Sequence, residues 1–244
     1  MRFCAIIVFF ILAIGASVPS VAQDNEANKE SEKEGKANSV LSNPLFRLNQ
    51  QVYIRARKYN DTEVAKDALY RMVTMDPAND SLLFQLGYLY YEQGKFFSSV
   101  FVMNDVLSLN PDYEAALEIS GSSYQRIGAL EKSAQAYETL YLKTQDINVL
   151  YRLAFVQYDL KRDSEAEANA NIILKSPKSK EIKLLFEGDN KKNVEVSMSA
   201  VVLNLKGLIQ LRAGNKGKAK EFFEESLKEA PEFSLPKKEL DKLK

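Results

Sequence analysis

The sequence contains no histidine and no tryptophan, and its one cysteine is Cys4. Without histidine the chain lacks the usual general base near neutral pH and the commonest metal ligand. Cys4 stands inside an apparent targeting segment, so a chain that loses that segment can form no disulfide, thiolate nucleophile or Cys/His zinc site. Neither sign of charge is in excess, since Lys plus Arg and Asp plus Glu each number 33. No whole-protein field would draw a nucleic acid or an acidic membrane. A Gly-rich phosphate loop, a serine elbow and metal-spaced clusters are also missing. The expectation is a protein that is not an enzyme and has no cofactor, metal or nucleic-acid partner.

The apolar run from Phe3 to Ala16 falls short of the ~20 residues that a membrane-spanning helix needs. It follows Arg2 and ends in Ser20-Val21-Ala22 before Gln23, the outline of a secretory signal peptide over 1–22. An uncleaved anchor is the alternative, whereas lipid attachment through Cys4 is disfavoured because Cys4 precedes the apolar core. Residues 23–42 are rich in Glu, Lys, Asn and Ser, with Val40 and Leu41 the only large apolar residues. Such a stretch cannot bury enough surface to offset its ordering entropy, and it predicts a disordered linker. Together these segments predict export, to the periplasm or envelope of a bacterium, with no membrane span after cleavage.

The rest is an ordinary globular composition, 45% hydrophobic overall, and it is periodic. Asn43-Pro44 predicts a helix start, a capping side chain followed by proline at the first helical position. From Asp80 to Tyr113 run two amphipathic helices and a tight turn, with Leu83, Leu86, Gly87, Tyr90, Ser99, Met103 and Pro111 at spaced positions. Small residues recur twelve apart as Gly87/Ser99, Gly121/Ser133, Ala154/Ala166 and Gly207/Ala219. A fifth copy upstream carries Ala65, Leu69 and Pro77 but Tyr53 where a small residue is expected. Terminal repeats are often atypical, because one face has no neighbour.

This pattern resembles the tetratricopeptide-repeat (TPR) family, with Leu83 in the place usually held by tryptophan. The resemblance implies an all-α fold, a solenoid of helix-turn-helix repeats at about 46–79, 80–113, 114–146, 147–178 and 200–233 within 43–231. It also implies that the first helix of each repeat lines a concave groove. Mapped onto this sequence, the groove positions are Phe84, Tyr88 and Tyr91, then Glu118, Ser122 and Gln125, then Tyr151, Phe155 and Tyr158, with Asn204, Leu208 and Leu211 from the last repeat. Arg126 and Arg152 stand beside them. The Lys/Asn pair with which some members clamp a terminal carboxylate is absent, its positions being held by Phe84 and Tyr88, then by Glu118 and Ser122.

Ala154 to Gly207 exceeds one repeat length, so an insertion of about 179–199 interrupts the array. Ile182, Leu184 and Phe186 alternate, Gly188-Asp189-Asn190 signals a turn, and Val194, Val196 and Met198 alternate again. This predicts a β-hairpin projecting from the solenoid, a helical extension being the alternative. The tail 234–244 predicts a capping helix with Ser234 as its cap. Asp159, Asp163, Glu165 and Glu167 crowd one helix junction, the only arrangement that invites an acid/base or cation-binding reading.

The expected function is a monomeric scaffold, adaptor or assembly factor that binds a protein or peptide. Its predicted partner-binding residues are Phe84, Tyr88, Tyr91, Gln125, Arg126, Tyr151, Arg152, Phe155 and Tyr158. Large aromatic rings supply contact area for few frozen rotors. A carbohydrate-binding accessory protein or an enzyme using the same groove is the alternative from another class. End-to-end self-association is a third. The aromatic positions also admit a bland reading, in which the rings close on each other or are covered by the insertion.

Overall fold

The structure, a computed structural model, describes residues 40, 42–187 and 193–243. The expected signal peptide, and all of the expected linker except Val40 and Ser42, lie outside them. Helices pair in sequence: α1 (Pro44–Lys58) with α2 (Thr62–Met75), α3 (Asp80–Glu92) with α4 (Phe96–Leu109), and α5 (Glu114–Arg126) with α6 (Leu130–Thr144). Then α7 (Ile147–Asp159) pairs with α8 (Asp163–Lys175), and a short helix α9 (Lys178–Glu181) leads into strands β1 (Lys183–Glu187) and β2 (Asn193–Ser197). The last pair, α10 (Met198–Arg212) and α11 (Lys216–Glu229), is closed by α12 (Ser234–Lys242). Each helix packs on its neighbours in sequence, except that α10 reaches back over the insertion to α8. The result is the predicted solenoid with a hairpin before the last repeat.

Local chemistry sets the boundaries. Asn43, Asp61, Asn79, Asp146 and Ser197 each accept a backbone N–H of the first turn that follows, satisfying a donor that the helix cannot. Between the paired helices one residue turns into the left-handed region. It is Gly94, Gly128 or Gly214 in three repeats, at φ 70°, 77° and 81°, and Asn60 or Lys161 in the other two. Gln145, which stands where a closing proline is absent, ends α6 with the same left-handed conformation.

The small pairs are small because the helices cross there. A β-carbon on Gly121 would lie 2.8 Å from the Tyr137 ring, and one on Gly207 would lie 2.3 Å from the Phe223 ring. Both rings are fully buried. In the fourth repeat the residue facing Ala154 by the same spacing is Ala170, itself fully buried, so alanine replaces glycine where its partner shrinks. Ser133 Oγ donates to the Gly121 carbonyl at 2.7 Å within the same crossing. The core is a file of such layers, running from Phe46, Leu69 and Leu86 through Met103 and Tyr137 to Leu150, Ile173 and Leu205.

Four expectations change. Val40, expected in the linker, packs against the cluster of Phe46 and Leu69, so the packed chain starts before Asn43. The hairpin does not project. Its strands pair antiparallel, with Leu184 opposite Val196 and Phe186 opposite Val194. These four side chains pack in a shared core with Ala200, Val201 and Phe233, while Leu185 on the other face is exposed. The alternation identified an apolar face, and that face must be covered. Ser234 is not the cap of α12 either: its hydroxyl donates to the Glu187 carbonyl at 3.2 Å and ties the closing helix to the hairpin. Met198, expected to alternate with Val194 and Val196, begins α10.

Candidate functional site

One face of α3 carries a row of rings. Helical spacing brings Phe84, Tyr88 and Tyr91 onto one face of α3, with ring centroids 6.1 and 6.3 Å apart and planes within 21° and 24° of each other. Sequence reasoning missed the two ends. Tyr113, at the start of α5, stacks on Phe84 at 5.0 Å, and Phe96, at the start of α4, meets Tyr91 edge-on at 5.7 Å. Each is the terminal residue next to a groove helix, and that adjacency was the signal available. The row therefore holds five rings, and Tyr88 at its centre is 38% exposed.

Polar groups border the row. Tyr91 Oη and Ser122 Oγ share a 2.9 Å hydrogen bond between α3 and α5. The Arg126 guanidinium lies over the Phe96 ring, 5.8 Å from its centroid, and Gln125 beside it is half-buried. Arg57 of α1 donates to both Glu92 carboxylate oxygens, at 2.7 and 3.2 Å. Arg152 pairs with Glu118 at 3.8 Å. Glu92 and Glu118 are thus each held in an ion pair.

The second aromatic group is built differently. Tyr151 and Phe155, 4.9 Å apart, pack against the hairpin core of Val196, Val201 and Phe233. Burial pushes the Tyr151 hydroxyl up to about 12. Tyr158 is covered by the Arg212 guanidinium, 3.7 Å from its ring centroid. Asn204 of the last repeat is buried. The predicted groove residues Tyr151 and Phe155 are half-buried, with the insertion supplying apolar surface against them.

The acidic junction is committed to contacts between helices. Asp163 pairs with Arg212 at 2.8 Å, Glu165 accepts from the buried Gln157 amide at 3.1 Å, and Glu167 accepts from Gln210 at 3.3 Å. Burial raises the Asp159 carboxyl, and nearby Arg212 opposes the shift. Among the described residues no group of three or more His, Cys, Asp or Glu could hold a metal ion, and no helix is long and apolar enough to cross a membrane.

The family profile for the tetratricopeptide repeat matches residues 80–113 and 200–233, two of the five helix pairs seen here. Those two segments are tetratricopeptide repeats. No curated protein matches it over its sequence. Among solved structures it is similar to MamA, at 17% identity over 76% of this chain and 91% of that one, with a TM-score of 0.61. It is also similar to a tetratricopeptide repeat protein from Parabacteroides merdae, at 19% identity over 82% of this chain and 73% of that one, TM-score 0.64. YrrB, described as a TPR protein with an unusual peptide-binding site, aligns at 10% identity over 86% of this chain and 97% of that one, TM-score 0.66. At these identities the likeness is one of fold, and this chain differs from a plain array of helix pairs by its hairpin.

Proposed function

We propose that this protein is a non-catalytic interaction scaffold that binds a partner protein or peptide on the amino-terminal half of its concave face. The observation that carries the reading is the five-ring row held by packed helices, with Tyr88 exposed at its centre and the other four rings half-buried. A rigid receptor loses little entropy on binding, and partly exposed Tyr and Phe are the side chains that most often dominate interface energies. Phe84, Tyr88 and Tyr91 make the contact, with Gln125 and Arg126 at its border. Tyr151 and Phe155 serve the fold. The peptide-binding description of YrrB supports the same reading for a solenoid of this kind. The apolar run and Ser20-Val21-Ala22 support export, so the scaffold acts in a bacterial envelope; amino-terminal sequencing of the mature protein beginning near Gln23 checks this.

A photo-crosslinking residue placed at position 88 in the producing cell tests the site, with the same residue at position 101, where Phe101 is exposed outside the groove row, as the control. The expected result is a covalent adduct formed through position 88 and not through position 101. Equal adducts at both positions, or none at 88, would remove the groove reading.

A further inference from the structure

We propose that a second groove, between α4 and α6, binds a small carboxylic acid that carries a further oxygen, such as a hydroxy acid. The groove has a volume of about 270 Å³, and none of its lining residues belongs to the aromatic row. Leu117, Ser120 and Tyr124 of α5 form its floor, at a spacing that puts them on one face of the helix. Asn104 and Leu107 of α4 stand on one side, Lys132 and Ala136 of α6 on the other.

One residue opens this space. Ser120 comes just before the small residue of its crossing, Gly121, and the same place in the repeats on either side is held by Leu86 and Leu153, each 3% exposed. Serine is too short to fill what those leucines fill. Ser120 is itself only 1% exposed, and its Oγ has no hydrogen-bond partner among the described residues, although a helical serine can bond to the carbonyl one turn back. A buried hydroxyl left unpaired is unfavourable, and a leucine here would avoid that. Missing volume together with an unused hydroxyl is the provision that a ligand oxygen needs. The groove is many times the ~30 Å³ share of one water, yet it falls below the ~300–1,000 Å³ of drug-sized sites. The occupant is therefore a small molecule.

Charge selects its class. Lys132 is the one charged side chain among the described residues that line the groove. Its ammonium lies 5.6 Å from the Tyr124 ring centroid and pairs with no described carboxylate. Tyr124 Oη donates to Asn104 Oδ1 at 3.1 Å, which leaves the Asn104 amide N–H groups as donors. A cationic ligand would be repelled, and a single lysine matches the one charge of a carboxylate better than the nearly double charge of a phosphate monoester. In this arrangement the carboxylate takes charge-assisted hydrogen bonds from Lys132, the stem rests on Leu107, Leu117 and Ala136, and the second oxygen meets the Ser120 hydroxyl.

Titration of the folded protein with 3-hydroxypropionate, 4-hydroxybutyrate and 6-hydroxyhexanoate, followed by the amide NMR signals of α5 and α6, tests the proposal. The hydroxyl-free acids and the acid-free diols of equal length are the controls. At least one hydroxy acid should shift the signals around Ser120, with its hydroxyl-free acid weaker and its diol inactive. Ser120→Leu should abolish the shifts and raise the urea midpoint, because it fills the space as the flanking repeats do. Ser120→Ala keeps the space and should lower the hydroxy acid to the affinity of the hydroxyl-free acid. Lys132→Gln should weaken binding about tenfold, as loss of a hydrogen bond to a charged group does. No shift with any acid, which would mean that the groove holds water only, overturns the inference. Equal shifts with acid and diol, or binding unchanged in Ser120→Leu or in Ser120→Ala, overturn it as well. Each of these variants leaves the aromatic row intact, so the reading of the row stands or falls separately.

Discussion

Replacing Gly207 by alanine should destabilise the protein, although alanine is the better helix former. In a helix interior the exchange gains about 1 kcal/mol from propensity. Against it stands the added β-carbon, 2.3 Å from Cε1 of Phe223, where carbon atoms prefer ~3.5–4 Å. Phe223 is fully buried, so relief requires moving a ring or parting α10 from α11. Overpacking of this kind typically costs 1–3 kcal/mol, occasionally more, and a deficit of over an ångström belongs at the upper end. The expected net loss is about 2 kcal/mol, read as a lower urea midpoint by circular dichroism with an unchanged slope. Gly217→Ala is the control, because nothing lies within 4 Å of its would-be β-carbon; it should be neutral or slightly stabilising. Adding Phe223→Leu to Gly207→Ala should recover part of the loss, a favourable coupling in a double-mutant cycle. If Gly207→Ala proves as harmless as Gly217→Ala, the account of why small residues recur at the crossings is wrong.

Lys161 holds a left-handed conformation, φ 61°, where three other repeats use glycine, so Lys161→Gly should raise stability by up to about 1 kcal/mol in the same assay. Burial raises the Tyr151 hydroxyl to about 12 from its usual value near 10, and burial with a hydrogen bond to Tyr70 raises Tyr90 likewise to about 12; the stability that each contributes is complete below pH 10 and is lost as pH rises from about 10 through 12. Tyr151→Phe should remove part of that alkaline decline, and an unaltered decline would show that Tyr151 does not contribute to it. Phe186→Ala removes a half-buried ring 4.9 Å from Phe233 and should cost about 2 kcal/mol, below the ~3–5 for a fully buried phenylalanine. It should also bring the Tyr151 and Phe155 layer into reach of a hydrophobic dye.

The repeat architecture was legible because each crossing needs a small residue at a fixed place, so Gly87, Gly121, Ala154 and Gly207 mark the period directly. The hairpin was legible as alternation at Leu184, Phe186, Val194 and Val196. Its docking was not, because alternation says that one face is apolar without saying which surface receives it. That contact decided the candidate site. The two aromatic groups look equivalent in sequence, yet Tyr151 and Phe155 pack against residues from the insertion and against Phe233, far along the chain. Tyr113 and Phe96 escaped notice for the opposite reason: they sit at helix ends outside the groove pattern, and only the turn geometry swings them into line with Phe84 and Tyr91.

The most direct test of the central claim is selection from a random linear peptide library on the wild-type protein, followed by affinity measurement of the selected peptides on Tyr88→Ala and on a Phe101→Ala control. The account predicts peptides that lose about tenfold or more in affinity on Tyr88→Ala, as loss of a central anchor implies, and bind the control as they bind wild type. Peptides that bind all three proteins alike would contradict it.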